Sequence, residues 1–108
     1  MYRKGIRNPL IVLPYVAEDR EESHVWHLFI VRTKERARLQ AHLLQAGIMT
    51  SIHYPIPPHK QRAYSELAAL DLPISEQLHE EVLSLPIGPC LTDEEAERVI
   101  AAVNQYAE

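Results

Sequence analysis

His24-Val25-Trp26-His27-Leu28-Phe29-Ile30-Val31-Arg32-Thr33, followed by Lys34 to Ala46 and then Gly47, decides the fold class of this 108-residue chain. The first ten residues are rich in β-branched, aromatic and aliphatic side chains and read as the strongest strand. Both alternating faces are apolar, Val25/Phe29/Val31 and Trp26/Leu28/Ile30, which implies a central strand buried on both sides. The apolar spacing then becomes helical from Lys34 to Ala46, with Leu39/Leu43 and Ala37/Ala41/Leu44 forming one wide stripe. Thr33 suits the N-cap of that helix, and Gly47 suits the left-handed position just past its end.

Downstream, Ile48 to Tyr54 reads as a second strand, stopped by Pro55, Pro57 and Pro58, which fix φ and lack an N–H. Gln61 to Leu70 reads as a short helix with Ala63, Leu67 and Leu70 inward. Pro73 ends the next loop, and Ser75 caps a helix running to about Glu81. Leu83, Leu85 and Ile87 alternate with Ser84 and Pro86, an edge strand because of Pro86. Thr92-Asp93-Glu94-Glu95 is a capping box, after which Ala96, Val99, Ile100 and Val103 form the face of a terminal helix. Upstream, residues 1–22 contain Gly5, Pro9, Pro14 and the charge run Glu18 to Glu22. They read as a linker or lead-in with one short edge strand, Leu10–Leu13, and residues 23–108 as the domain. The order β-β-α-β-α-α-β-α predicts an α+β fold, a small mostly antiparallel sheet with helices packed on one face.

The chain suffices for one modest core. Eleven basic and fifteen acidic residues are mixed along it, net charge −4. No basic stripe supports nucleic-acid binding. Its apolar runs are too short for a membrane span, and its first residues carry no signal-type segment. A single cysteine, Cys90, excludes an intramolecular disulfide, fits a reducing cytoplasm and reads as inert packing or surface.

No catalytic set assembles from sequence. His24 and His27 point to opposite faces of a strand, and His42 and His79 sit on polar helix faces. His53 and His59 lack a nearby Cys, Asp or Glu to complete a metal set. Gly5, Gly47 and Gly88 are too far apart for a phosphate loop. Ser51 and His53 share a strand face, too generic a pairing for a catalytic dyad. Most carboxylates fall in charge runs or helix first turns, as solvated surface and caps. What remains is the cluster His53, Tyr54, His59, Lys60 and Gln61, whose groups suit a multi-hydroxyl ligand such as a sugar.

His53-Tyr54-Pro55-Ile56-Pro57-Pro58-His59-Lys60-Gln61, with Ala63-Tyr64 after it, resembles a signature of the DegT/DnrJ/StrS-type sugar aminotransferases. His24 to Phe29, Gly47-Ile48, Glu81 to Ile87 and Leu91 to Glu95 agree with it, in order and with natural spacing. The resemblance covers the family's C-terminal small domain and implies the aspartate-aminotransferase (fold type I) architecture. It also implies amino transfer, typically from glutamate, to a nucleotide-linked keto sugar, and the wording points to keto-6-deoxyhexoses on thymidine diphosphate. In the family the enzyme is a homodimer, and a lysine in the larger domain holds pyridoxal phosphate. None of Lys4, Lys34 and Lys60 sits in a context resembling that lysine, so no catalytic, cofactor-binding or metal residue is assigned, and the chain alone is expected to be inactive. His53 and Tyr54 are carried over as substrate contacts beside the hexose. His59, Lys60 and Gln61 match the same signature as substrate-side residues, Gln61 also suiting a helix cap and Lys60 a solvated position. The alternative is a stand-alone α+β module that binds a small molecule or a protein; a metal hydrolase would need several histidines to converge.

Overall fold

Two antiparallel strands form the centre, β1 (Phe29–Arg32) and β2 (Val82–Leu85), in the register Phe29↔Leu85, Ile30↔Ser84, Val31↔Leu83 and Arg32↔Val82. The computed structural model describes residues 1–107, without the side chains of 18, 19 and 21. Part of the expected charge run, and Glu108 at the end of the expected domain, therefore lie outside the described residues. Among the described residues four α-helices accompany the strands, α1 (Tyr2–Gly5), α2 (Arg36–Gln45), α3 (Pro73–Glu81) and α4 (Asp93–Gln105), together with short 3-10 segments.

The alternation of β1 and β2 puts Phe29, Val31, Leu83 and Leu85 on one face, all buried. Leu39 and Leu43 of α2 and Ala96, Val99 and Val103 of α4 join the same apolar cluster. This is the expected α+β layer, with a small antiparallel sheet covered by helices on one face.

The sheet is thinner than its sequence implies. Leu10–Leu13 and Ile48–Tyr54 were expected as strands, but each contributes one bridge, Val12↔Arg32 and Ser51↔Ser84. Pro9 and Pro14 leave little backbone able to pair around Val12. Ile48 is committed to the end of α2, and Pro55 starts a turn. β2 consequently lies between β1 and Ser51 and is not an edge; Pro86 falls one residue beyond the ladder, where its missing N–H removes no bond. β1 is likewise shorter than His24–Thr33. Trp26 has φ +50, outside the extended region. There its N–H donates to Nδ1 of His24 (3.0 Å), and the two rings stack with centroids 3.9 Å apart. Val25, expected inside, is 88% exposed.

The helix ends divide by how local their signals are. At the end of α2, Gly47 has φ +75, its N–H reaches the Leu44 carbonyl and the Ile48 N–H reaches that of Leu43, a Schellman closure as expected. Thr92 caps α4 through the capping box: Glu95 N–H donates to Thr92 Oγ1 (3.2 Å), and Thr92 N–H to Glu95 Oε2 (2.9 Å). Thr92→Ala is expected to cost about 1 kcal/mol, read as a lower urea midpoint with an unchanged m-value. The N-cap of α2, by contrast, is Glu35 and not Thr33. Thr33 is buried and donates its N–H to the Glu81 carbonyl, while its hydroxyl has no partner among the described residues. The outer arm of the α2 stripe, Ala37, Ala41 and Leu44, is exposed, so the apolar face is narrower than expected. Pro73 opens α3 at its first turn instead of ending a loop, and Ser75 is not its cap. The helix expected at Gln61–Leu70 is a 3-10 segment, Arg62–Leu67, broken at Tyr64. Ala63, Leu67 and Leu70 are exposed there because the segment packs no face into the core.

The opening stretch, read as a lead-in, packs into the fold. Tyr2, Ile6, Ile11 and Val16 are buried. The Tyr2 hydroxyl donates to the Pro86 carbonyl (2.7 Å), and burial pushes its pKa up to about 12, so it stays a donor across the physiological range. Asn8 Nδ2 donates to the carbonyls of Val103 (2.8 Å) and Tyr106 (2.7 Å), closing the end of α4. No helix of the described residues is long and apolar enough to cross a membrane.

Candidate functional site

The site is the turn 52–61 held against β2 and α3. Ser51 pairs with Ser84, so His53, two residues on, projects to the same face of the sheet. Its Nδ1 lies 2.9 Å from Oγ of Ser84, a buried side chain in the middle of β2. Adjacent residues on a strand diverge, yet the His53 and Tyr54 rings meet edge to face with centroids 5.4 Å apart. The peptide bond between them is cis. Tyr54 is 64% exposed, and its carbonyl accepts a hydrogen bond from His79 Nδ1 of α3. A carbonyl only accepts, so His79 carries its proton on Nδ1. The His79 carbonyl in turn accepts from the Arg36 guanidinium of α2.

Beyond Tyr54 the prolines steer the chain into a 3-10 turn, Pro58–Lys60, with Pro58 at its first position. The structure brings His53 and Tyr54 together as a half-open polar surface, and gives the other three candidates internal partners. His59 is 3% exposed and its Nε2 lies 2.9 Å from Glu76 Oε1 of α3. Lys60 Nζ donates to the Ala68 carbonyl (3.1 Å) and stands 3.6 Å from the same carboxylate. Gln61 occupies the cap position of the next 3-10 segment, but its side chain turns back to the Ile56 carbonyl (3.2 Å) and caps nothing. These contacts knit the turn to itself and to α3.

The His59 hydrogen bond, aided by the Leu72 N–H and the Lys60 charge, holds the Glu76 carboxyl below the usual glutamate range. Glu81 at the end of α3 is lowered first by Gln77 Nε2 (2.7 Å) and then by the Arg32 guanidinium (2.8 Å). A carboxylate lowered in the folded state stabilises it above the ordinary value of 4.5, and that contribution is lost as pH falls through the lowered value. Acidification below about pH 4.5 is therefore expected to loosen the turn from α3, seen as faster proteolysis within residues 54–72. Glu76→Gln should flatten that acid limb; an unchanged limb would remove the clamp from the account.

Three contributors to the site were not singled out by sequence. Ser84 is the one hydroxyl between Leu83 and Leu85, a polar break in an apolar strand that could have flagged it. Glu76 and His79 looked like ordinary helix-surface residues, and His79 is half-buried. His42, expected on a polar face, donates from Nε2 to the Ala102 carbonyl (2.8 Å) and serves packing. Cys90 is exposed. A cleft of about 600 Å³ lies elsewhere, between α1, Trp26 and the start of α4; none of the five candidate residues lines it.

The model of the DegT/DnrJ/EryC1/StrS aminotransferase family matches residues 1–104. The chain belongs to this family. A DegT/DnrJ/EryC1/StrS relative, the dTDP-3-amino-3,6-dideoxy-alpha-D-galactopyranose transaminase of Aneurinibacillus thermoaerophilus, is 57% identical over 97% of this chain and 28% of its own length. The dTDP-3-amino-3,4,6-trideoxy-alpha-D-glucose transaminase of Streptomyces venezuelae is 48% identical over 99% of the chain and 28% of its own length. Among solved structures, S. venezuelae DesV in complex with a ketimine intermediate superposes with a TM-score of 0.89 at 43% identity, over 99% of this chain and 30% of that one. The chain thus spans little more than a quarter of the DegT/DnrJ/EryC1/StrS relatives it matches, and its fold is that of a part of these aminotransferases.

Proposed function

We propose that the chain is the C-terminal small domain of a pyridoxal-phosphate-dependent aminotransferase that aminates a dTDP-linked keto-6-deoxyhexose, with glutamate as amino donor. The observation that carries this reading is the His53–Tyr54 pair, displayed at the surface by a turn whose remaining polar side chains are spent on holding it. Two rings that can hydrogen-bond, one of them largely exposed, suit the hydroxyls of a sugar ring. The identity with two dTDP-sugar transaminases supports the substrate class. His53 and Tyr54 form the hexose-facing wall. His59, Lys60 and Gln61 serve the substrate by fixing the loop that presents it.

The residues of this chain do not fit a pyridoxal-phosphate cradle. Lys60 is held by carbonyls and Glu76, and Lys34 is exposed on the surface. Lys4 borders the cleft beside α4, but it is exposed on a four-residue helix, and the nearest carboxylate lining that cleft, Asp93, is exposed too. The cofactor, which supplies the electron sink for amino transfer, is assigned to the rest of a longer enzyme. That enzyme is proposed to be a cytoplasmic homodimer, with residues 1–22 leading from its larger domain and packing onto the small domain at 23–108.

The purified 108-residue chain, mixed with pyridoxal phosphate, glutamate and a dTDP-3-keto-6-deoxyhexose, is expected to show no bound-cofactor absorbance and no amino-sugar product. Product formation by the chain alone would overturn the fragment reading. Joined in frame to a family large domain, the same chain should yield an active enzyme, and His53→Ala in that enzyme should raise KM for the sugar.

A further inference from the structure

Ser84 sits in β2 with its backbone committed: its N–H donates to the Ser51 carbonyl (2.8 Å) and its carbonyl accepts from the Ser51 N–H (3.2 Å). Ser84 is 5% exposed, between Leu83 and Leu85, whose side chains point to the opposite face. Among the described residues the only partner of its hydroxyl is Nδ1 of His53, at 2.9 Å. A hydroxyl carries one proton to donate and lone pairs to accept with. If Nδ1 carried the imidazole proton, the Ser84 hydroxyl would accept it and leave its own buried proton without an acceptor, a costly loss. If Ser84 donates, both polar atoms are satisfied.

We infer that Ser84 is a positioning residue that donates its hydroxyl proton to Nδ1 of His53, fixing the imidazole as its Nε2–H tautomer with that N–H directed away from the strand as a hydrogen-bond donor. Nε2 has no partner among the described residues, and His53 is half-buried, so the donor is available to an incoming oxygen. A fixed donor selects acceptor oxygens, a carbonyl or hydroxyl lone pair of a sugar or a phosphate oxygen, over groups that can only donate. That the oxygen belongs to a hexose rests on the function proposed above; the tautomer does not. His79 fixes the neighbouring Tyr54 carbonyl from α3, so the wall is tied to two elements, the His53 ring to β2 and the Tyr54 backbone to α3.

The test is the side-chain nitrogen spectrum of His53 in the 108-residue chain, recorded by long-range 1H–15N correlation at a pH where the ring is neutral. The wild type is expected to show Nδ1 as the unprotonated, pyridine-type nitrogen and Nε2 as the protonated one, well separated in shift. Ser84→Ala should move the Nδ1 signal and shrink that separation toward the value of a free imidazole, and Ser84→Thr, which keeps the hydroxyl, should restore it. A protonated Nδ1 in the wild type overturns the inference without needing any variant to fold. A Ser84→Ala spectrum identical to wild type, in a chain whose Val31 and Leu83 methyl signals are native, overturns it as well. Addition of dTDP-glucose to the same chain joined in frame to a family large domain then separates the two readings. A shift at His53 Nε2 supports both, and an Nε2–H tautomer that never responds keeps Ser84 in its role while removing the sugar from His53.

Discussion

Leu83→Ala is expected to destabilise the chain by about 2–5 kcal/mol, the range for emptying a fully buried leucine site. Leu83 has no exposed surface and stands opposite Val31 at the centre of the two-stranded ladder, where helices α2 and α4 both contribute to the surrounding cluster. With only two strands among the described residues, the neighbours have little freedom to collapse into the space without breaking the ladder itself. For a domain of this size that loss corresponds to a fall in Tm on the order of 10–20 °C. Leu44→Ala is the matched control: Leu44 is 62% exposed, and its truncation should stay within about 0.5 kcal/mol. Thermal unfolding by circular dichroism compares the two directly, and equal shifts would contradict the placement of the core.

Asn8→Ala is expected to cost about 1–3 kcal/mol, the penalty for leaving buried polar groups without partners. The carbonyls of Val103 and Tyr106 at the α4 terminus both accept from this one side chain, Val103's also from the Tyr106 N–H (3.3 Å), and the Asn8 Oδ1 accepts from the Leu10 N–H (3.0 Å). A helix end leaves its last carbonyls short of donors, and here the terminus gains two donated bonds from a residue at the other end of the chain. Asn104 returns the favour from α4, donating to the Gly5 carbonyl (2.9 Å) and accepting from the Arg7 N–H (2.8 Å). Asn8→Asp should fare no better than Asn8→Ala, because a carboxylate cannot donate to a carbonyl. Urea unfolding with an unchanged m-value measures the effect. An unaltered midpoint in Asn8→Ala would mean that the opening residues rest on the domain without supporting it.

Residues 1–22 read as a lead-in, yet the end of α4 depends on Asn8 within them. Gly5, Pro9 and Pro14 advertise irregular backbone, and irregular backbone is a common mark of a loop, but here Asn8 ties it to the carbonyls of Val103 and Tyr106, and the Asn104 side chain ties down Gly5 and Arg7. The length of β1 was overestimated for a related reason. Val25 and Trp26 have high strand propensity, and propensity does not register that Trp26 turns out of the ladder to stack between His24 and Phe29. At the candidate site, His53 and Tyr54 were legible as a polar pair after an apolar strand. The burial of His59 against Glu76 was not, because a carboxylate in a helix first turn has a sufficient local explanation as a partner of the helix dipole.

By itself the sequence determined the features whose causes lie within about one helical turn: the Thr92 capping box, the Gly47 closure of α2 and the proline-stiffened turn at residues 55–58. Its motif at residues 53–61 also determined the family. Only the tertiary structure decided which polar side chains are left to meet a ligand. Ser84 reaches His53 across 31 residues and Asn8 reaches Val103 across 95. Such contacts form only once the apolar faces of the sheet, α2 and α4 have closed on one another. A hydrogen bond between distant residues is bought by the burial of the core, and no spacing of neighbouring residues records it.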